Sequence, residues 1–260
     1  MLTPCSSNGS LITQCEAEGF RNITYFIDRP DVMASFTTTL VGDAQQFPVM
    51  LANGDLLESN VMNGHRYSVF HCPHRIPAYL FALVAGNFAR VSDEHTRPDG
   101  RAVSLNIYVP HGCESKTRVA MRALKDCMVF DELEYGRVCD VNQVRAEPVL
   151  RSRPPAVHAC FLQYNIVATP DFTMGAMENK GLNIFNSKYV LCDEATAKDS
   201  AMQGVSRVVA HECALPFPCH HSASSTFDSR VRYLHNWTGN RVTVRDWFQL
   251  CLKEGLTVFR

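Results

Sequence analysis

The sequence predicts an α+β fold in two parts, an antiparallel β module over residues 1–88 followed by a mixed α and β domain over 89–260. Three observations carry this. Period-two alternation and tight-turn dipeptides fill the first hundred residues; a clean strand and a long stripe at helical spacing follow Asp99; two more helical stripes occupy the last third.

Ile23, Tyr25 and Ile27 alternate with polar neighbours, as do Phe36, Thr38 and Leu40, then Tyr67 and Val69, the pattern of half-buried strands. Asn53-Gly54, Asn63-Gly64 and Asp99-Gly100 accept positive φ and predict tight hairpins between strands. Val103, Leu105, Ile107 and Val109 line one face of a strand. Lys116 to Tyr135 carries Ala120, Leu124, Cys127 and Met128 at helical spacing and stops at Gly136. Asn165 to Ala168 reads as a buried strand. A second helix is expected from a cap at Asp199 through Met202, Val205, Val208 and Val209 to His211 and Glu212. A third starts near Asp246, with Trp247, Leu250 and Cys251 at i, i+3 and i+4 and Glu254 at i+7, so a carboxylate turns inward beside Trp247. The stretches 142–162 and 213–232 keep neither period, hold five of the chain's 13 prolines, and read as insertions into a regular framework.

Composition narrows the class. With 260 residues, 46% apolar and 20% charged, the chain is long enough for a real core. Its 25 basic and 26 acidic side chains leave a formal net charge of −1, which removes the main electrostatic reason for a nucleic-acid partner. The apolar run through Tyr79 to Ala85 falls far short of the roughly 20 residues of a membrane helix. Eleven cysteines without a Cys-x-x-Cys favour free thiols in a reducing compartment. The expectation is a soluble, cytoplasmic protein with no membrane and no nucleic acid.

Three constellations carry chemistry. His211-Glu212 ends the second helix, and a His-Glu pair there is half of the zinc signature H-E-x-x-H, in which two imidazoles one turn apart hold an ion and the Glu serves as general base. Position 215 is leucine, followed by Pro216 and Pro218. With 213–232 set aside, the text reads His211-Glu212-Tyr233-Leu234-His235, and Glu254 lies 19 residues beyond His235. That completes a set of two His and one Glu. Alone, the dipeptide is explained as well by a helix-end pair satisfied by its neighbours. The second constellation is Gly175-Ala176-Met177-Glu178-Asn179, where small residues admit a ligand to the backbone and a carboxylate can grip a free amino terminus; the bland reading is a solvated loop glutamate. The third, Gln14 to Gly19 with Glu16 and Glu18, says nothing by itself.

Gln14 to Arg21 (QCEAEGFR), Gly175 to Leu191 (GAMENKGLNIFNSKYVL) and His235 to Arg260 (HNWTGNRVTVRDWFQLCLKEGLTVFR) resemble the bacterial-type aminopeptidase N (alanyl aminopeptidase) family of zinc metallopeptidases. The resemblance implies an amino-terminal β-rich domain followed by a partial thermolysin-like α+β zinc peptidase domain. It implies His211, His235 and Glu254 as ligands of one zinc ion per chain, and Glu212 as the base. Glu178 and Glu16, with Gln14 beside them, would hold the α-ammonium of a peptide substrate, and Asn179, Gly175 and Ala176 would help seat it. Single residues would then be released from amino termini.

The departures from the family pattern shape the alternatives. The two histidines stand 24 positions apart, about 36 Å if the helix ran on, so 213–232 must loop out for one ion to bridge them. Closing such a loop costs roughly 3 kcal/mol, which zinc binding worth about 10 kcal/mol offsets. The break falls in the turn that aligns ligands and base. His220 and His221 offer substitute ligands, a weaker reading. Relative to the family the chain is expected to be truncated at both ends, stopping before the tyrosine that steadies the tetrahedral intermediate. The alternative function is therefore an inactive fragment or a non-catalytic peptide-binding remnant.

Overall fold

A computed structural model describes residues 2–5, 9–135, 162–213, 235 and 239–259. The amino-terminal half is antiparallel. Strands β1 (Leu2–Cys5), β2 (Ser10–Thr13), β4 (Val49–Ala52) and β7 (Leu83–Gly86) form one sheet in the order β1-β2-β7-β4. Strands β3 (Met33–Asp43), β5 (Asp55–Met62) and β6 (His65–Pro77) form a second, in the order β3-β6-β5. Asn63 and Gly64, both at positive φ, close the β5–β6 hairpin as their residue types require.

The Asn53-Gly54 turn differs from expectation. It is a corner that carries the chain from one sheet to the other, because β4 pairs with β7 while β5 pairs with β6. A Cβ on Gly54 would lie 2.1 Å from the His71 carbonyl oxygen, so only glycine passes there. The strand expected over Ile23 to Ile27 is also absent. A 3₁₀ turn over Phe20–Asn22 is followed by irregular chain, with Tyr25 and Ile27 exposed. The reason is local: the Arg21 amide donates to Asp28 Oδ2 at 2.9 Å, the Arg21 guanidinium donates to the Asp28 carbonyl at 2.9 Å, and the Phe20 ring packs on Phe26, Phe36 and Phe81. That closure leaves no extended edge to pair.

The second half is built on a five-stranded sheet of order β11-β12-β10-β9-β8, comprising β8 (Ala89–Thr96), β9 (Ala102–Val109), β10 (Leu162–Thr169), β11 (Ala176–Met177) and β12 (Leu182–Asn186). The pairs β9–β10 and β10–β12 are parallel, whereas β8 and β11 run antiparallel to their neighbours. Helices α1 (Arg118–Tyr135) and α2 (Asp199–Cys213) cover one face, where Val103, Leu105, Ile107, Val109, Ile166 and Ala168 meet Ala120, Leu124, Val205 and Val209. Tyr79, Leu80 and Val84 from the amino-terminal half cover the other face, against Tyr108, Val167, Leu182 and Ile184. Burial on both faces is the usual state of parallel strands and explains their apolar runs.

Helix α3 (Leu250–Phe259) follows a 3₁₀ turn over Trp247–Gln249 that Asp246 caps through its side chain and the Phe248 amide. The tighter turn resets the phase, so a stripe counted from Trp247 misplaces Cys251, which is exposed. The inward face instead reads Leu250, Lys253, Glu254 and Thr257. The stretches 142–161 and 214–232 lie outside the described residues, as do Tyr233, His220 and His221. Among the described residues no helix is long and apolar enough to cross a membrane, and the cysteines Cys15, Cys72, Cys113, Cys127, Cys192 and Cys251 are free thiols.

Candidate active site

Five segments of the chain meet at the carboxyl end of α2. The helix delivers His211 and Glu212 on its last turn, as the apolar stripe through Val205 and Val209 dictates. His235 comes back to this point: its Nε2 lies 3.0 Å from His211 Nε2, and the two rings sit edge to face, 4.5 Å between centroids. Helix α3 brings Glu254 Oε2 to 3.4 Å from each of those nitrogens. Three electron-pair donors thus form a triangle with edges of 3.0 to 3.4 Å. A tetrahedral ion with bonds of about 2.0–2.1 Å spaces its ligands by about 3.3 Å, so two imidazoles and a carboxylate here fit zinc in number, type and spacing.

Glu212 is buried, with Oε2 lacking a hydrogen-bond partner among the described residues. Burial, with the charge of Glu178 nearby, pushes its carboxyl well above the ordinary range. It is poised to hold a proton. Glu254 goes the other way: burial would raise it, but hydrogen bonds from both histidines and the charge of Lys253 hold it well below the ordinary range. For His235, burial alone would lower the imidazole, yet Glu178, Glu254 and Glu212 outweigh it and push the pKa up to about 9. Such a demand for positive charge is what a cation at this point would satisfy.

The turn between β11 and β12 brings Glu178 beside these residues, its Oε1 3.7 Å from His235 Nδ1. Glu16 arrives from the turn after β2. Between them lies a residue that periodicity did not single out, Lys253, whose Nζ is 2.7 Å from Glu16 Oε1 and 2.8 Å from Glu254 Oε1 and also bonds Glu178 Oε1. Its signal in the sequence was a lysine at i+3 from Leu250, a charged residue on an apolar stripe. Burial would lower the ammonium, but the carboxylates raise it above its usual value. The same ammonium lowers Glu178, against burial and together with His235, whereas Glu16 stays raised by burial and by Glu178.

Gln14 donates to the Glu16 carbonyl and to Met177 Sδ, each at 3.4 Å. Asn179 is fully buried, and neither amide atom has a hydrogen-bond partner among the described residues. Gly175 and Ala176 are engaged in the sheet: the Gly175 carbonyl accepts from the Asn186 amide at 2.9 Å, and Ala176 pairs with Phe185. Two asparagines that the sequence did not mark as part of the site also brace it, Asn53 from the amino-terminal half and Asn240 from the loop after His235. Asn53 donates to the carbonyls of Leu80 at 3.1 Å and Lys180 at 2.9 Å, and Asn240 donates to the Glu178 carbonyl at 2.8 Å.

Known proteins share this arrangement of sequence. The Peptidase M1 N-terminal domain matches residues 6–80, and the Peptidase family M1 domain matches 156–216 and 232–260, passing over 217–231 inside the stretch read as an insertion. Aminopeptidase N of Escherichia coli is 45% identical over 255 residues, and that of Haemophilus influenzae 43%, each alignment covering 98% of this chain and 25% of the relative. The structure of Legionella pneumophila aminopeptidase A in complex with aspartic acid superposes with a TM-score of 0.79 at 32% identity, over 97% of this chain and 25% of that one. The chain spans about a quarter of the length of the relatives it matches. On these grounds the chain belongs to peptidase family M1, whose aminopeptidases are zinc metallopeptidases.

Proposed function

We propose that the chain carries the catalytic core of a zinc aminopeptidase that releases single residues from the amino termini of peptides. One observation supports this above the others: the triangle of His211, His235 and Glu254 stands directly beside a carboxylate cluster, Glu16 and Glu178, that already holds a primary ammonium. A metal triangle alone suits many hydrolases. A cation-binding pair next to it selects a substrate whose scissile bond is one residue from a positive terminus.

The roles follow from the geometry. His211, His235 and Glu254 would hold zinc, which supplies Lewis-acid polarisation of the scissile carbonyl and lowers the pKa of water. Glu212 takes the proton of the attacking water on its Oε2, which has no hydrogen-bond partner among the described residues, and passes it to the leaving amine nitrogen. Glu16 and Glu178 bind the α-ammonium, with Gln14 holding the Glu16 turn against Met177. Asn179 offers its free amide to the peptide, and the paired backbone at Gly175 and Ala176 keeps that loop in place.

A second reading has its own support. The zinc signature is split by 24 positions, in the turn where a 1 Å error costs about a hundredfold in rate. On that reading the chain keeps the amine pair and binds peptides without cleaving them. The two readings part in one assay: metal content of the purified chain, with release of chromophore from an alanyl nitroanilide. The expected result is one zinc per chain and weak turnover, lost at least a hundredfold in Glu212→Gln. Turnover that survives Glu212→Gln sinks the first reading.

A further inference from the structure

One hydroxyl of the amino-terminal half bonds the loop that follows His235. Tyr79 is 1% exposed, and its Oη lies 2.7 Å from Thr243 Oγ1 and 3.1 Å from the Gly239 carbonyl oxygen. One phenolic proton serves both contacts in a single arrangement, with Tyr79 donating to Gly239 and Thr243 donating to Tyr79. These two bonds bracket the loop 239–243, which the Gly239 amide closes on the Val242 carbonyl at 3.0 Å.

That loop touches two functional groups at once. The Asn240 amide donates to the His235 carbonyl at 2.8 Å, while the Asn240 side chain donates to the Glu178 carbonyl at 2.8 Å. Gly239 is the wall behind the imidazole: its φ is +141°, and a Cβ there would stand 2.9 Å from His235 Nδ1. A small shift of this loop therefore moves His235 and Glu178 together.

We propose that Tyr79 is a positioning residue: its hydroxyl, held by the β-rich half, anchors the 239–243 loop, and the loop sets His235 and Glu178 in register with each other. The inference rests on the assignment of His235 to the metal and Glu178 to the amine. Its physical basis is that a ligand's orientation depends on groups that do not touch the ion, and loss of such outer contacts commonly weakens metal binding about 10- to 100-fold. The rest of Tyr79 has a separate task, since its ring packs edge-on against Trp247 at 5.2 Å and faces the Lys253 ammonium at 5.6 Å.

Tyr79→Phe keeps that ring and removes only the hydroxyl, and Thr243→Val removes the same link from the loop side. In the full chain, amide hydrogen exchange at Asn240 is expected to quicken about tenfold or more in each variant. The double variant should exchange no faster than the singles, and the β3 and β6 amides should be unchanged. Zinc affinity by chelator competition should fall about 10- to 100-fold in step. Unchanged protection at Asn240, a loss spread equally over β3 and β6, or a loosened loop with unaltered zinc affinity would each overturn the proposal. If the unsubstituted chain takes up no zinc, the functional reading fails, while exchange at Asn240 still decides whether Tyr79 anchors the loop.

Discussion

His211 and His235, 24 positions apart in the chain, meet with their Nε2 atoms 3.0 Å apart at the end of α2. Each nitrogen also lies 3.4 Å from Glu254 Oε2, so the three groups are held together either by ring protons shared among them or by a cation in their midst. Their convergence is the observation on which the proposed metal chemistry rests, and it stands despite the separation of the histidines in the sequence.

Removing 213–232 joins His211-Glu212 to Tyr233-Leu234-His235 within one helical turn. The deleted form is expected to bind zinc about tenfold more tightly or better, because it no longer meets the cost of closing a loop of about 20 residues, roughly 3 kcal/mol. Competition with a chelator measures this directly. Equal affinity in both forms would mean that the loop costs the site nothing.

Lys253 neutralises three carboxylates while only 2% of its side chain is exposed. Lys253→Met takes from Glu16, Glu178 and Glu254 the ammonium they share, and should destabilise the chain by about 3 kcal/mol, a loss of several degrees in melting temperature. The loss should shrink from pH 8 to pH 5 as the carboxylates take up protons. A melting temperature unchanged at pH 8 would show that the cluster does not depend on this ammonium.

Glu16 is proposed to bind the substrate's ammonium without touching the reacting bond. Glu16→Gln keeps the shape and removes the charge, so KM for an alanyl amide should rise about tenfold with kcat changed much less. Steady-state kinetics separate the two constants. A fall confined to kcat would move Glu16 from binding into the chemical step.

Far from the site, Asp131 on α1 is buried, its Oδ1 without a hydrogen-bond partner among the described residues; burial, and then the charge of Glu132, push its pKa up to about 8. Glu132 itself bonds His95 Nε2 at 3.0 Å. Because the folded-state value is raised above the ordinary 3.8, the carboxyl favours folding fully below that value, and the benefit drains away as pH rises towards about 8. Asp131→Asn should therefore raise the melting temperature at pH 8 and flatten its fall between pH 4 and pH 8. A thermal scan across that range suffices, and parallel pH curves for both proteins would sink the idea.

Local pattern carried much of this protein. The alternation of Val103, Leu105, Ile107 and Val109 predicted β9 and its buried face; the stripe through Val205 and Val209 predicted α2 and put His211 and Glu212 on its last turn; Asn63-Gly64 predicted a hairpin that forms. Each is a repeat of side-chain type along a short stretch, and backbone geometry converts it into a face or a turn with no help from distant residues. The spacing of His235 and Glu254 also singled out two side chains that the fold places 3.4 Å apart.

What the text alone left undecided depends on residues remote from the segment concerned. Ile23 to Ile27 reads as a strand, but the grip of Arg21 on Asp28 and the Phe20 cluster bend it away. Asn53-Gly54 reads as a hairpin, but the backbone of β6 makes it a corner between sheets. Lys253 reads as an ordinary helix lysine, and only the approach of Glu16 and Glu178 from two other parts of the chain turns it into the centre of a buried charge cluster. Periodicity records how one element meets its immediate surroundings; which charges finally share a site is set by long-range packing, and no local spacing encodes it.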